Sequence, residues 1–247
     1  ARALKKSVLE LGGSDPFVVL ADADIETAAE HAAKSRLMCA GQTCIAAKRL
    51  IVHTSVADRF QELFLAAMNR AKMGDPLDQN TTLGPLARED LLDTLERQVQ
   101  ESVAQGATLL CGGQRVEGVG LFFPPTVLSD VTKDMPVFRE ETFGPVAVVV
   151  RVNDDEEAIA VADDTEYGLA ASVWSRDVDH AMAVGSKITT GALFVNSFVS
   201  SDPRMPFGGT KRSGYGRELG AMGVREFTNA RSVWIAPTPD QVAGGAR

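Results

Sequence analysis

Two side chains in this sequence could carry nucleophilic and acid–base chemistry, and the first is Cys44. It lies in the segment GQTCIA, residues 41–46. A glycine there lets the backbone bend closely around a ligand, and a thiolate is a strong nucleophile. The alternative is that Cys44 only fills space, as lone cysteines usually do in a protein core. The local spacing alone leaves both interpretations open.

The second is Glu10, a carboxylate inside the apolar and glycine-rich segment VLELGG, residues 8–13. Apolar neighbours would raise the pKa of such a carboxyl group toward the range that suits a general base. The alternative is a glutamate at a strand end that points into solvent or pairs with Lys5 or Lys6. As with Cys44, the residue by itself does not decide between the two.

Composition restricts the class of protein that could use these groups. The 247 residues are 45% hydrophobic and 23% charged, which is typical of a globular chain with one large domain or two small ones. The formal charge of −8 and the scattered Lys and Arg residues argue against nucleic acid as a partner. We predict a soluble protein without a membrane-spanning helix, because no apolar run approaches the roughly 20 residues that such a helix needs.

Cysteine and histidine usage indicates the compartment and argues against a metal site. Three cysteines and three histidines stand at spacings unlike those of a disulfide framework or a zinc site. We therefore expect a reducing, cytoplasmic environment and no bound metal.

The hydrophobic pattern alternates between strands and helices. Strands are predicted at residues 18–20, 50–52, 108–111, 146–150, 170–174 and 192–195, and helices after Asp22 or Asp24 and near residues 56–71, 88–105, 155–162 and 178–188. This alternation predicts an α/β fold with a mostly parallel twisted sheet and flanking helices. A last strand is predicted from Ser232 to Ile235, followed by a tail of disordered composition at residues 237–247.

Four segments in a fixed order resemble the aldehyde dehydrogenase superfamily. They are ELGG at residues 10–13, GQTC at 41–44, ETFGP at 141–145 and PFGGTKRSGYGRELG from Pro206. The resemblance covers nearly the whole chain. The segments LELGGSDPFVVL and SDPRMPFGG resemble in particular the bacterial succinate-semialdehyde dehydrogenase-like branch.

This resemblance implies the C-terminal, catalytic-domain half of such an enzyme. The chain opens in the middle of a pattern, so we expect it to be part of a longer protein that is inactive without its other half. Residues 1–12 would be a remnant of the cofactor-binding domain and residues 13–212 the catalytic domain. Residues 213–247 would form a return segment, an oligomerisation strand and a tail, with a homo-oligomer built through residues 232–235.

The resemblance also implies a mechanism for the two candidate residues. Cys44 would attack the aldehyde carbon as a thiolate, giving a thiohemiacetal and then a thioester. Glu10 would activate the water that hydrolyses this thioester to a carboxylic acid. The Cys44 backbone N–H would form half of an oxyanion hole, whose other half is an asparagine side chain upstream of this chain.

NAD or NADP is the implied cofactor, with its adenosine and pyrophosphate sites mostly outside this chain. Glu141 would bind the nicotinamide ribose, with Phe143, Leu11 and Gly12 beside the same end of the cofactor. The alternative for Glu141 is a solvated turn residue paired with Arg139.

The implied substrate is a small aldehyde, succinate semialdehyde or a similar compound. Phe207 and the loop over residues 198–205 match the family's aldehyde-entry tunnel, where Ser201 and Arg204 would meet a substrate carboxylate. The alternative is a solvent-exposed loop.

One departure weakens the succinate semialdehyde assignment. Members that oxidise this aldehyde carry an arginine six residues before the nucleophile, where this sequence has Met38. Arg36 or Arg204 would have to substitute, or the substrate differs. Cys39 is interpreted as a packed helix residue.

Two other functions fit the same residues. The chain could act as a slow cysteine esterase, since Cys44 and Glu10 suffice in principle for acyl transfer and hydrolysis without a cofactor. It could instead be a non-catalytic assembly domain whose strand at residues 232–235 docks on the sheet edge of a partner.

Overall fold

The computed structural model of this chain describes residues 2–118 and 120–238, and its largest element is a seven-stranded sheet. The strands are β1 (Leu9–Glu10), β2 (Asp15–Val19), β3 (Ala47–His53), β4 (Thr108–Cys111), β5 (Thr126–Ser129), β6 (Val146–Val152), β7 (Tyr167–Gly168), β8 (Ala170–Trp174), β9 (Ala192–Val195), β10 (Thr210–Lys211) and β11 (Gly214–Tyr215). The helices are α1 (Ile25–Leu37), α2 (Thr54–Met68), α3 (Glu89–Ala104), α4 (Pro136–Arg139), α5 (Asp155–Asp163), α6 (Val178–Gly185) and α7 (Gly220–Glu226), with a 3-10 turn at Met38–Gly41.

The large sheet has the strand order β4-β5-β6-β3-β2-β8-β9. Every neighbouring pair is parallel except β4 with β5, which places one antiparallel strand at an edge. The predicted α/β fold with a mostly parallel sheet and flanking helices is therefore confirmed.

The central strands are buried on both faces, as parallel strands are when helices cover the sheet. Alternate side chains of β3 point to opposite faces, so Leu50 packs in a core with Phe60 of α2, while Ile51 packs in another with Ala158 of α5. For this reason β3 is continuously apolar from Leu50 to Val52.

The turn that leads to Cys44 follows α1 directly. Asp24 caps the start of α1 by accepting a hydrogen bond from the Thr27 N–H at 3.1 Å. After the helix, Cys39, Ala40 and Gly41 have φ values of 52°, 55° and 73°, all in the left-handed region. The interpretation of Cys39 as a packed helix residue was wrong, because this residue lies beyond the helix and is exposed.

Two short antiparallel ladders lie beside the large sheet. β1 pairs with β11, so that Glu10 lies opposite Gly214, and β7 pairs with β10. Buried Ser213 lies between these ladders and joins them, because its hydroxyl donates to Gly12 O at 2.6 Å and accepts from the Gly168 N–H at 3.1 Å. The domain limits at residues 12 and 212 stay a prediction.

The predicted strand from Ser232 to Ile235 is not formed in this chain, and that prediction was wrong for the single molecule. Val233, Trp234 and Ile235 are 72%, 88% and 84% exposed. A strand needs a hydrogen-bonding neighbour, and within the described residues none lies beside this segment. Most of the predicted tail, residues 239–247, lies outside the described residues.

Across residues 2–118 and 120–238, no helix is long and apolar enough to cross a membrane. Within the same ranges, no group of three or more His, Cys, Asp or Glu side chains is placed to hold a metal ion.

Candidate active site

The segment before Cys44 is held by several hydrogen bonds. Gln42 donates its side-chain amide to Cys39 O at 3.1 Å and accepts from the Ala87 N–H at 2.8 Å. A Cβ atom at Gly41 would lie 2.2 Å from Gly144 O, so only glycine permits this close approach to the ETFGP segment. The loop with the cysteine and the loop with Glu141 are therefore packed directly against each other.

The Cys44 side chain is half-buried and lines a cavity of about 430 Å³. The other residues that line the cavity are Leu11, Gly12, Gln42, Thr43, Glu141 and Phe143. Burial raises the pKa of the Cys44 thiol, and the nearby charge of Lys48 opposes this effect. Of the predicted catalytic and cofactor-binding residues, five share this one cavity.

Glu10 is the sixth, and its carboxylate oxygens are buried. Neither oxygen makes a hydrogen bond of good geometry among the described residues, although the Gly209 backbone N–H and the charge of Arg217 lie close enough to lower its pKa. Burial, followed by the neighbouring carboxylate of Glu218, raises the pKa of Glu10. Lys6 pairs with Glu226, so no ion pair with Lys6 explains Glu10. The charge of Glu10 is also among the smaller causes that raise the pKa of Cys44, after burial, which places the carboxylate within electrostatic reach of the thiol.

Glu141 is fixed by one oxygen and has the other available. Its Oε1 accepts from the Gly13 N–H at 3.0 Å and lies 3.7 Å from Lys48 Nζ. Oε2 accepts no hydrogen bond within the described part of the chain, and a Cβ atom at Gly12 would lie only 2.6 Å from it. Arg139 pairs with Asp164, so the suggested pairing of Glu141 with Arg139 is not formed.

Two buried charges next to this cavity were missed in the sequence. Lys48 and Asp15 are each 2% exposed. Burial raises the pKa of Asp15 and lowers the pKa of Lys48, while the charge of each residue favours the ionised form of the other. The available signal was the pair Lys48-Arg49 inside the strand-like run AKRLIV, because Lys and Arg are rarely placed in a buried strand without partners.

Two buried arginines serve the fold. Arg36 donates to Gly41 O at 2.5 Å and is fully buried, so it is closed off from a substrate. Arg49 donates to the backbone oxygens of Ser14, Val161 and Ala162 at 2.8 to 3.1 Å. Arg36 is therefore excluded as the substitute for the arginine absent at Met38.

The three predicted substrate residues lie apart from the Cys44 cavity. Ser201 is exposed, and Arg204, with 86% of its side chain exposed, pairs with Asp202 through its guanidinium group. Phe207 lines a separate cavity of about 440 Å³ with Phe194 and other residues. Their role in substrate binding stays a prediction.

The model of the aldehyde dehydrogenase family matches residues 1–233 of this chain. The chain therefore belongs to the aldehyde dehydrogenase family, in agreement with the resemblance of its motifs.

Individual relatives point to one branch of the family. The chain is 49% identical over 232 residues to the succinate semialdehyde dehydrogenase (NAD(P)+) Sad of Escherichia coli strain K12, covering 94% of this chain and 50% of that protein. It is 48% identical over 242 residues to a succinate-semialdehyde dehydrogenase (NADP+) of Mycobacterium avium, covering 98% and 51%.

Solved structures give the same result for the fold. The succinic semialdehyde dehydrogenase of Streptococcus pyogenes, in complex with NADP+ as the cofactor, superimposes with a TM-score of 0.92 at 43% identity, over 96% of this chain and 52% of that chain. An NAD-dependent aldehyde dehydrogenase of Sinorhizobium meliloti gives a TM-score of 0.93 at 38% identity, over 96% and 48%. The chain thus spans about half the length of the relatives that it matches.

Proposed function

We propose that this chain is the catalytic part of an NAD(P)-dependent aldehyde dehydrogenase that oxidises a small aldehyde, succinate semialdehyde or a similar compound, to its carboxylic acid. The observation that carries the proposal is a half-buried Cys44 thiol on an open cavity, with the buried carboxylate oxygens of Glu10 within electrostatic reach. The names of the relatives support the aldehyde and the cofactor.

Cys44 is the proposed nucleophile. Its thiolate adds to the aldehyde carbon, and the carbonyl oxygen becomes the oxyanion of a thiohemiacetal. A bound NAD(P)+ would supply the hydride acceptor for that carbon, and the group then held on Cys44 would be a thioester. The Cys44 backbone N–H has no acceptor within the described part of the chain and so can donate to the oxyanion.

Glu10 is the proposed general base for the second half of the reaction. It takes a proton from a water molecule, whose oxygen attacks the thioester carbon, and the Cys44 sulfur leaves as the carboxylic acid forms. The raised pKa makes the Glu10 carboxylate a stronger base than an ordinary glutamate, because burial and the neighbouring Glu218 outweigh the opposing effects of the Gly209 N–H and Arg217.

The residues on the Cys44 cavity fit the nicotinamide end of a dinucleotide. The free Oε2 of Glu141 is placed to accept from a ribose hydroxyl, and Phe143 gives an aromatic surface beside it. Leu11 and Gly12 line the same cavity, and a side chain at Gly12 is excluded because its Cβ atom would lie 2.6 Å from Glu141 Oε2. We propose these four residues as cofactor contacts.

For the substrate we propose the loop that contains Ser201, Arg204 and Phe207. Arg204 is ion-paired with Asp202, so it must leave this partner before it binds a substrate carboxylate. The 86% exposure of its side chain leaves room for that movement.

Alkylation of the three cysteines by iodoacetamide, followed by mass spectrometry, tests the proposal on the chain itself. We expect succinate semialdehyde to slow the alkylation of Cys44, because a thiol converted to a thiohemiacetal cannot react with iodoacetamide. The alkylation rates of Cys39 and Cys111 should not change. Succinate, which lacks the aldehyde carbon, is the matched control. Equal alkylation of Cys44 with and without the aldehyde would contradict the proposed site.

The exposed apolar residues near the C-terminus favour self-association as an additional role. Val233, Trp234 and Ile235 are exposed together, and β9 is an edge strand of the large sheet. We propose that residues 232–235 pair with a second copy of the chain. Light scattering should show an oligomer that Trp234→Lys dissociates, and a monomer at all concentrations would refute this proposal.

A further inference from the structure

Lys48 is a buried cation whose partners surround the cysteine. It lies near the start of β3, and its Nζ donates to Thr43 O at 3.1 Å and to Cys44 O at 2.8 Å. The same Nζ lies 3.7 Å from Glu141 Oε1. A buried ammonium group requires such partners, because its desolvation is otherwise strongly unfavourable.

The bond to Thr43 O determines the direction of the Cys44 N–H. Thr43 C=O and Cys44 N–H belong to one planar trans peptide unit, in which they point in opposite directions. Because Lys48 holds the carbonyl on the buried side, the N–H is turned away from Lys48. This N–H has no acceptor within the described part of the chain, so it is available to a ligand.

The charges around Lys48 determine what its ammonium group contributes electrostatically. Arg36 faces it with a like charge, and Asp15, Glu141 and Cys44 are the acidic groups that interact with it. Burial raises the pKa of Cys44, and Lys48 is the largest influence that lowers it. The ammonium group is therefore the main local source of stabilisation for a thiolate.

We propose that Lys48 is a positioning residue for Cys44. Lys48 fixes the Thr43–Cys44 peptide so that the Cys44 N–H serves as oxyanion donor, and its positive charge stabilises the thiolate. The oxyanion role rests on the proposed function. The effect of the charge on the thiol does not.

Two reagents separate these effects. Iodoacetamide is attacked at a saturated carbon and forms no oxyanion, whereas p-nitrophenyl acetate acylates a thiol through a tetrahedral oxyanion. The variants are Lys48→Met, which keeps the length but has neither charge nor donor, and Lys48→Gln, which keeps a donor without charge. Lys72→Met is the control, because it removes an exposed positive charge that does not line the Cys44 cavity.

For Lys48→Met we expect a higher pKa in the pH profile of Cys44 alkylation and a lower rate at pH 7.5. Acylation by the ester should fall by at least a further ~10-fold relative to alkylation, because a misplaced oxyanion donor weakens this step specifically. Lys48→Gln should recover part of the acylation rate and none of the pKa change. The Cys111 alkylation rate and circular dichroism report whether each variant is folded.

The proposal is overturned if Lys48→Met and Lys72→Met give the same Cys44 pKa and the same ratio of acylation to alkylation. If Lys48→Met does not fold, the Cys44 pKa is measured in Lys48→Gln instead. A pKa equal to that of the unmodified chain would refute the proposal. If the unmodified chain is not acylated at all, the acyl chemistry of the proposed function fails. The alkylation profile then still decides whether Lys48 stabilises the thiolate.

Discussion

Ser213→Ala removes a hydroxyl group that joins three separate segments of the chain. Ser213 Oγ donates to Gly12 O at 2.6 Å and accepts from the Gly168 N–H at 3.1 Å, and the residue is fully buried. Alanine fits the same space but leaves the part-buried Gly12 O without its donor, while the Gly168 N–H keeps its place opposite Thr210 in the β7–β10 ladder. Such a loss costs about 1–3 kcal/mol, so we expect the free energy of unfolding to fall by about 1–3 kcal/mol.

Urea unfolding followed by circular dichroism at 222 nm measures this change. For a chain of this length a loss of that size lowers Tm by roughly 2–12 °C. The m-value should not change, because the surface exposed on unfolding is the same. Ser186→Ala is the matched control, since Ser186 is exposed and its hydroxyl, among residues 2–118 and 120–238, bonds only to Ala183 O three residues before it.

Ser213→Ala should also change the reactivity of Cys44 with iodoacetamide. Gly12 lines the Cys44 cavity, so a more mobile Gly12 carbonyl should expose the thiol more often and increase its alkylation rate. If Ser213→Ala lies within about 0.5 kcal/mol of the unmodified chain, as a typical surface substitution does, the hydroxyl is not the link that its contacts indicate.

Three further substitutions test other contacts. Cys39→Asn should raise the free energy of unfolding by about 0.5 kcal/mol in urea titrations, because asparagine tolerates the left-handed φ of 52° better; an unchanged or lower midpoint would contradict this. Arg49→Lys should lower the same free energy by about 2–4 kcal/mol, since an ammonium group cannot reach all the backbone oxygens that the guanidinium group binds; a loss below about 1 kcal/mol would show that those bonds matter little. The hydrogen bond with Asp155 raises the pKa of His180. The pair therefore stabilises the fold fully below the ordinary histidine pKa of about 6.5. This stabilisation is lost as the pH rises through the raised pKa of His180. The stability difference between the unmodified chain and His180→Gln, under about 1 kcal/mol for this partly exposed pair, should shrink with rising pH, and a constant difference would refute the assignment.

Much of the sheet could be predicted from the sequence, because parallel strands buried on both faces are short apolar runs. β3, β6, β8 and β9 all lie where such runs were found. β5 was missed, since Thr126–Ser129 has only two apolar residues between two polar ones. The strand at residues 232–235 was predicted wrongly for a complementary reason, because an apolar run indicates β propensity and carries no information on whether a neighbouring strand exists.

The candidate site was predictable where it depends on residue type and not where it depends on burial. Cys44, Leu11, Gly12, Glu141 and Phe143 line one cavity, and their catalytic and cofactor-binding roles stay a prediction. The position of Lys48 inside a strand-like run was a signal of burial, whereas its partners are mainly backbone oxygens, which no side-chain pattern reveals.

The order in which the chain folds follows from the pairing of β1 with β11. Glu10 lies opposite Gly214, so this ladder closes a loop of about two hundred residues, and the entropy of closing a loop rises with its length. Local helices and the adjacent strands β2 and β3 can form before such a distant contact. We therefore expect Glu10 to reach its position late in folding, after the large sheet has formed, so that the two candidate residues Cys44 and Glu10 come together only when folding is nearly complete.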